Sequence, residues 1–345
     1  MTDTKCMDEV MYRLPDATEC HRLTGKAMGL DGIGDLRGRQ GFVFAPFHAD
    51  ASARLVFLDV ATHEVMNLEP VADAGHHGFV EKKSRPDYRR AFDRMKARMA
   101  NDNLIKIVLA RRDDLVLDGP LDAHELFAKA CGMYPHQMVA LVSTSLSGTW
   151  LMATPEVLIE KRSQGWRTMA LAGTMSTPGP WSEKNMREQL IVAEYIHDCL
   201  TRRCASVRQR APRTVTAARL FHLRTDFDFT LRDDTDITTV LDDLFPTPAV
   251  CGMPKQEALE AILQEEGLDR RYYSGFCGPW NMSSPMASAL PDQDAATALY
   301  VSLRCMEMKG KNLSLYAGGG LLEESEEPTE WEETERKLQT MKSLL

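Results

Sequence analysis

Leu315-Tyr-Ala-Gly-Gly-Gly-Leu-Leu-Glu-Glu-Ser-Glu-Glu-Pro-Thr-Glu-Trp-Glu-Glu-Thr-Glu-Arg-Lys337 is the stretch from which the rest of the chain is read. Leu313, Leu315 and Ala317 alternate with Ser314 and Tyr316, the period of a strand. Gly318, Gly319 and Gly320 follow as a predicted turn. Three residues without a Cβ let a backbone approach a ligand and aim amide N–H groups at a carboxylate or phosphate. Pro328 and Thr329 then open a helix, with Thr329 as the expected N-cap and Glu332 completing a capping box. Thr334, Leu338, Met341 and Leu345 form its apolar stripe, and Glu330, Glu333 and Lys337 a separate one. Carboxylates in a first turn beside an anion-binding glycine turn suit a metal shared with a substrate acid. They equally suit the helix dipole, which favours acids there.

Working outward, the strand over 104–111 places Ile105, Ile107 and Leu109 on one face and Lys106, Val108 and Ala110 on the other. A lysine amid so many apolar residues is costly to bury unless paired, and burial favours its neutral, proton-accepting form. The alternative is an edge strand with Lys106 in water. Glu156 follows a proline at the head of the 154–162 strand, as a buried acid or a solvated strand end. Glu188 lies on the flank of a helix predicted from 182 to about 203, with Met186, Leu190, Ala193 and Ile196 or His197 inward.

Further strands are expected at 41–47, 54–60, 136–142, 148–153, 169–174, 223–231, 272–278 and 298–304. Helices are expected at 87–101, 121–132 and from 255. Residues 1 to about 40 carry Gly29, Gly32, Gly34 and Gly38, read as a loop. His76-His77 reads as a surface turn, because neighbours on a strand point to opposite faces. The basic run 208–219 reads as a solvated face. The pattern predicts an α+β fold: a single large domain with two big antiparallel β-sheets packed together and flanked by helices. Residues 76–345 form its catalytic region and 1–75 the N-terminal part of the same sheet system.

The chain has 345 residues, enough for a sizeable core. A net charge of −9 speaks against a nucleic-acid partner. No apolar run nears the roughly 20 residues of a membrane helix, so no membrane partner is expected. The first residues lack a secretory apolar region, and the eight cysteines show no zinc spacing. A cytoplasmic protein with reduced thiols is the expectation; Cys199 and Cys204, in one predicted helix, are poorly placed to pair.

Several segments together resemble the chorismate-utilising enzymes, most closely their isochorismate synthase branch. They are Lys106-Ile-Val-Leu-Ala-Arg111, Thr154-Pro-Glu156, Leu171-Ala-Gly-Thr174, Arg187-Glu188, Pro246-Thr-Pro-Ala249, Tyr273-Ser-Gly275, Ser302-Leu-Arg304, Tyr316-Ala-Gly-Gly-Gly320 and Glu330-Trp-Glu-Glu-Thr334. They stand in the family's order and cover roughly residues 80–345.

The resemblance implies an isomerase acting on chorismate. Lys106 would be the general base for a water attacking C2, and Glu156 the acid for the departing C4 hydroxyl. Glu188 and Glu333 would hold Mg²⁺, supported by Glu330. Arg304 and the amides of Gly318, Gly319 and Gly320 would take the side-chain carboxylate. Ala172, Gly173 and Thr174, with Thr247, Ala249, Tyr316 and Lys337, would complete the substrate site. Amine-forming members usually carry glutamine where Lys106 stands, and aminodeoxychorismate synthase a lysine where Ala172 stands. Water is therefore the expected nucleophile, with no obligate glutaminase partner. The product would feed menaquinone or siderophore biosynthesis, the former being the expectation. One residue departs from the family: Phe245 stands where a histidine is usual before Pro-Thr-Pro-Ala.

Overall fold

The computed structural model describes residues 8–67, 77–217, 220–283 and 295–345. His76 lies outside them. Eighteen of the described strands join one antiparallel sheet, and Met282–Ser283 pairs separately with Ala295–Ala296.

The sheet is best followed as a ribbon. It runs from Cys204–Gln209 and Arg213–Ala217, both paired with Leu220–Leu231, through Gly165–Met175, Val157–Arg162, Ala298–Val301 and Phe276–Trp280 to Gly41–Ala45. Two long strands, Leu55–Asn67 and Glu19–Leu30, carry it onward. Asp8–Arg13, Met138–Thr144, Gly148–Thr154, Cys305–Lys309 and Asn312–Leu321 follow. Lys106–Leu117 closes this end, bordered by Phe79–Lys82 and Gly252–Met253.

The two expected layers are thus halves of one bent sheet. The register shifts at Thr24/Gly25 in the long pair. A Cβ on Gly25 would lie 2.0 Å from Asp59 O, so the close approach of the two backbones there needs glycine. Tyr12, Phe42, Phe44, Trp150, Tyr300 and Tyr316, drawn from both halves, fill the space between the layers.

Among the described residues six α-helices cover the outer faces. Helices α1 (Arg85–Asn101), α2 (Ala123–Met133), α3 (Glu183–Arg203), α4 (Ile237–Leu244), α5 (Lys255–Glu265) and α6 (Glu327–Lys342) each bury one stripe. α3 and α4 pack on one half, α2 and α6 on the other, and α1 and α5 against Ile107 and Leu109. Local chemistry starts several of them: Asp122, Ser182 and Asp236 accept backbone N–H groups as N-caps of α2, α3 and α4. None of the described helices is long and apolar enough to cross a membrane. All seven described cysteines are free and buried.

Five expectations need correction. Residues before 31 are not a loop: Asp8–Arg13 and Glu19–Leu30 form a hairpin at the centre of the ribbon. Gly318–Gly320 are not a turn. They continue the strand to Leu321, opposite Val108–Ala110, because a neighbouring strand offers them a ladder. Helix α6 begins at Glu327, with Glu326 at the cap position and no side-chain cap, so Thr329 lies inside the first turn. Helix α3 is rotated from its predicted setting. Met186 and Leu190 are exposed, whereas Glu188 and Gln189 face inward. Gln189 accounts for the rotation: its amide accepts from Ala172 N at 2.9 Å and donates to Ala170 O and Thr225 Oγ1. Three hydrogen bonds to the sheet outweigh the exposure of two apolar side chains. Cys204 also leaves the helix and begins a strand.

Candidate active site

The site lies at the edge between the layers, where Asn312–Leu321 outruns Cys305–Lys309. That neighbour's pairing ends at Cys305 with Tyr316, so one side of residues 317–320 is open. The orientation of the opened backbone follows from the far side of the ladder. Val108 N donates to Cys251 O at 2.7 Å, and Ala110 N to Glu266 Oε1 at 2.7 Å. Both residues therefore turn their polar backbone groups away from the glycines. Their partners Gly320 and Gly318 are non-hydrogen-bonded pairs, whose own N–H and C=O groups point to the open side. Lys337 Nζ donates to Gly318 O at 2.8 Å on that side. Anion-seeking amides were expected of a turn; here a strand edge supplies them.

Behind this edge a buried ion pair stands in for a missing strand. Glu266 and Arg270 are bonded at 2.6 Å. Arg270 also donates to Val108 O and Val250 O, each at 2.8 Å. The Lys106 strand and the loop carrying Ala249 are thereby held together.

A cavity opens in front of the glycines. It is lined by Glu156, Ala172, Gly173, Thr174 and Glu188 on one side, and by Ala249, Arg304, Tyr316, Gly318, Gly320, Glu333 and Lys337 around the rest. Lys106, Thr247, Gly319 and Glu330 stand behind that lining. Thr247 instead holds its loop, its carbonyl accepting from Val250 N and Cys251 N. Gly319 faces the first turn of α6, where a Cβ would sit 3.2 Å from Glu330 Oε2.

Lys106 is fully buried, not on a solvated edge. Its Nζ lies 2.9 Å from Glu188 Oε1, at an angle that makes no directed hydrogen bond. The amine expected to stand alone thus has a carboxyl group beside it. Glu330 pairs with Lys184, and Glu333 with Lys337 at 2.6 Å. Each of the three glutamates expected to hold Mg²⁺ thus already has a lysine. Among the described residues no three ligating side chains converge on one point. The chemistry of the set still suits a hard cation: all donors are carboxylate oxygens, and Glu330 Oε2 is buried without a partner.

Burial pushes the Glu156 carboxyl up to about 8, against the pull of Lys106, Lys337 and Arg304. It is therefore protonated at neutral pH. Burial would raise Glu333 too, but Lys337, with Lys184 and His222, brings it down to about 2. Two carboxyls on one cavity are thus held in opposite protonation states. Arg304 is buried, takes the left-handed conformation (φ 47°), and has no carboxylate within ion-pairing distance among the described residues. An unneutralised buried guanidinium calls for an anionic ligand.

Sequence reasoning missed His222, which lines the cavity, and Lys184, the partner of Glu330. A lone histidine at the head of a strand and a lysine in a helical first turn carry no spacing that marks them. The Phe245 ring turns away from the cavity and meets Phe276 edge-on at 4.9 Å, within the core beneath α3 and α4.

Gly320 gives a direct check of the geometry. A Cβ there would lie 2.1 Å from Glu188 Oε1 and 2.8 Å from Lys106 Cε. Gly320→Ala is expected to displace both side chains and lower turnover about 10²-fold, the cost of a 1 Å misplacement. Steady-state assay beside a thermal melt separates this from unfolding.

An open strand edge, an arginine without a carboxylate partner among the described residues and two carboxyls held in opposite protonation states thus meet at one cavity. The chain belongs to the chorismate-binding enzyme family, whose profile it matches over residues 61–345. It is 27% identical to isochorismate synthase EntC of Escherichia coli over 279 residues, 76% of this chain and 68% of EntC. Isochorismate synthase DhbC of Bacillus subtilis is 29% identical over 296 residues, 79% of this chain and 71% of DhbC. Isochorismate synthase MenF of E. coli is 28% identical over 259 residues, 72% and 57% of the two chains. In fold, the chain matches the menaquinone-specific isochorismate synthase MenF of E. coli with a TM-score of 0.80 at 20% identity, over 98% of this chain and 88% of MenF. It matches anthranilate synthase component I of Streptococcus pneumoniae with a TM-score of 0.72 at 14% identity, over 99% and 93%.

Proposed function

We propose that the protein is an isochorismate synthase. The observation that carries this reading is the buried, carboxylate-free Arg304 on the same cavity as a protonated Glu156 and the buried Lys106–Glu188 pair. Arg304 and the outward amides of Gly318 and Gly320 receive the side-chain carboxylate of chorismate. Lys106 in its uncharged form accepts a proton from the water that bonds to C2. The ring double bonds shift, the C4–O bond breaks, and Glu156 protonates the hydroxyl so that it leaves as water. Atoms are conserved between substrate and product, and pyruvate stays attached. Glu188, Glu333 and Glu330 are the residues that would hold Mg²⁺. That ion supplies charge neutralisation and orientation of the ring carboxylate. Ala172, with no amine, leaves water as nucleophile.

Product identification tests the reading. Chorismate with Mg²⁺ should yield isochorismate alone, and addition of EDTA should stop it. Anthranilate formed with ammonia, or salicylate with pyruvate, overturns the assignment. Menaquinone biosynthesis is the expected consumer: a deletion strain should lack menaquinone, and loss of a siderophore alone would refute that part.

Glu156 sets the pH dependence. Its raised pKa keeps it protonated below about 8 and ionised above. Because the reaction needs the proton, kcat should fall as pH rises through about 8. Glu156→Gln should remove that limb, with turnover lower by about 10²–10⁴-fold. A flat profile across pH 7–9 in the wild type counts against Glu156 as the acid.

A further inference from the structure

His222 belongs to no part of the mechanism above, yet it is buried and lines the cavity. Its Nδ1 lies 2.9 Å from Gly173 O. A carbonyl only accepts, so Nδ1 carries the hydrogen and Nε2 is left as a lone pair. Nε2 lies 3.2 Å from Arg304 NH2, and a guanidinium only donates. Both ends of the ring therefore demand the same neutral tautomer. The carbonyl that sets it is itself fixed: Gly173 takes φ +66°, and a Cβ there would meet Asn185 at 3.2 Å. On the other side, Arg304 O accepts from Ala153 N, and Thr340 Oγ1 lies 3.5 Å from Arg304 NH1.

Every described polar side-chain contact of Arg304 is thus to a neutral group. A carboxylate in the place of His222 would orient the guanidinium as well but would also neutralise it. It would then compete with an incoming acid group. A neutral imidazole fixes the direction of the fork and leaves its charge to the ligand.

We propose that His222 is a positioning residue for substrate binding, holding Arg304 as an aimed, unneutralised cation for a carboxylate of the substrate. The relay runs from the Gly173 carbonyl through His222 to Arg304. The inference rests on the chorismate reading and adds to it a determinant of affinity that touches the substrate only through another residue.

The experiment compares wild type, His222→Leu, His222→Gln and His222→Glu. Chorismate Kd is measured by calorimetry in the presence of Mg²⁺, kcat and KM by steady-state assay, and folding by thermal melts. His222→Leu removes a hydrogen bond to a charged group and should raise Kd and KM about 10- to 100-fold. Its kcat should stay close to that of the wild type. His222→Gln, a neutral acceptor, should recover most of the affinity. His222→Glu should bind worse than His222→Gln although it too can accept from Arg304, and this pair decides the matter if the leucine variant fails to fold. A fall in kcat with unchanged Kd, or equal binding by the glutamine and glutamate variants, overturns the proposal. Wild type that does not bind chorismate overturns the functional reading and this inference with it. Wild type that binds, with His222 variants that bind equally well, overturns this inference alone.

Discussion

Lys106→Gln should leave a folded protein that makes no detectable isochorismate from chorismate and Mg²⁺. Glutamine fills much of the same space, but its amide cannot take a proton from water. General-base catalysis is worth about 10²–10⁴-fold, and the upper end applies because the other lysine near Glu156 among the described residues, Lys337, is bound to Glu333 and to Gly318 O. The substitution also leaves the Glu188 carboxylate without its cation at 2.9 Å. A melting temperature lowered by a few degrees is therefore expected beside the loss of turnover. Substrate affinity should change little, since Arg304 and the open strand edge are untouched. Retention of more than a tenth of wild-type kcat would remove Lys106 from the mechanism.

Arg304→Met is expected to separate function from stability. A buried cation with only His222 and Thr340 as described hydrogen-bond partners costs folding free energy, and methionine relieves that cost. The melting temperature should stay level or rise. Binding should suffer, because truncating one partner of a buried charge pair costs about 2–5 kcal/mol, or roughly 30- to 5,000-fold in kcat/KM. The loss should appear chiefly in KM and in calorimetric affinity. A variant that is unstable yet binds chorismate normally would mean that Arg304 serves the fold and not the ligand.

The two substitutions probe residues whose importance was unequally visible in the sequence. Lys106 stood out because a charge interrupts an apolar alternation, and burial of that face is the reason it matters. Arg304 was legible only through the resemblance of Ser302-Leu-Arg304 to the family; nothing local distinguishes it from an exposed arginine. Glu156 left both readings open until the structure buried it beneath Pro155 and the neighbouring strands. Periodicity misjudged α3. Met186 and Leu190 match a helical stripe, yet the hydrogen bonds of Gln189 turn Glu188 into the cavity. The triglycine reads as an anion-binding turn in the sequence, whereas in the structure it is a strand with one open edge.

By itself the sequence determined the α+β class and the family, and it singled out residues that the structure brings to one cavity. Those follow from local alternation, from charges set in apolar runs, and from motifs in a fixed order. Only the tertiary structure decided that the two layers are one bent sheet, that each glutamate expected to hold the metal is paired with a lysine, and that His222 stands behind Arg304. The physical reason is distance along the chain. Lys184 and Glu330 are brought together from different helices, and His222 and Arg304 from different halves of the ribbon. Such pairings depend on how the layers close, which no short stretch of residues encodes.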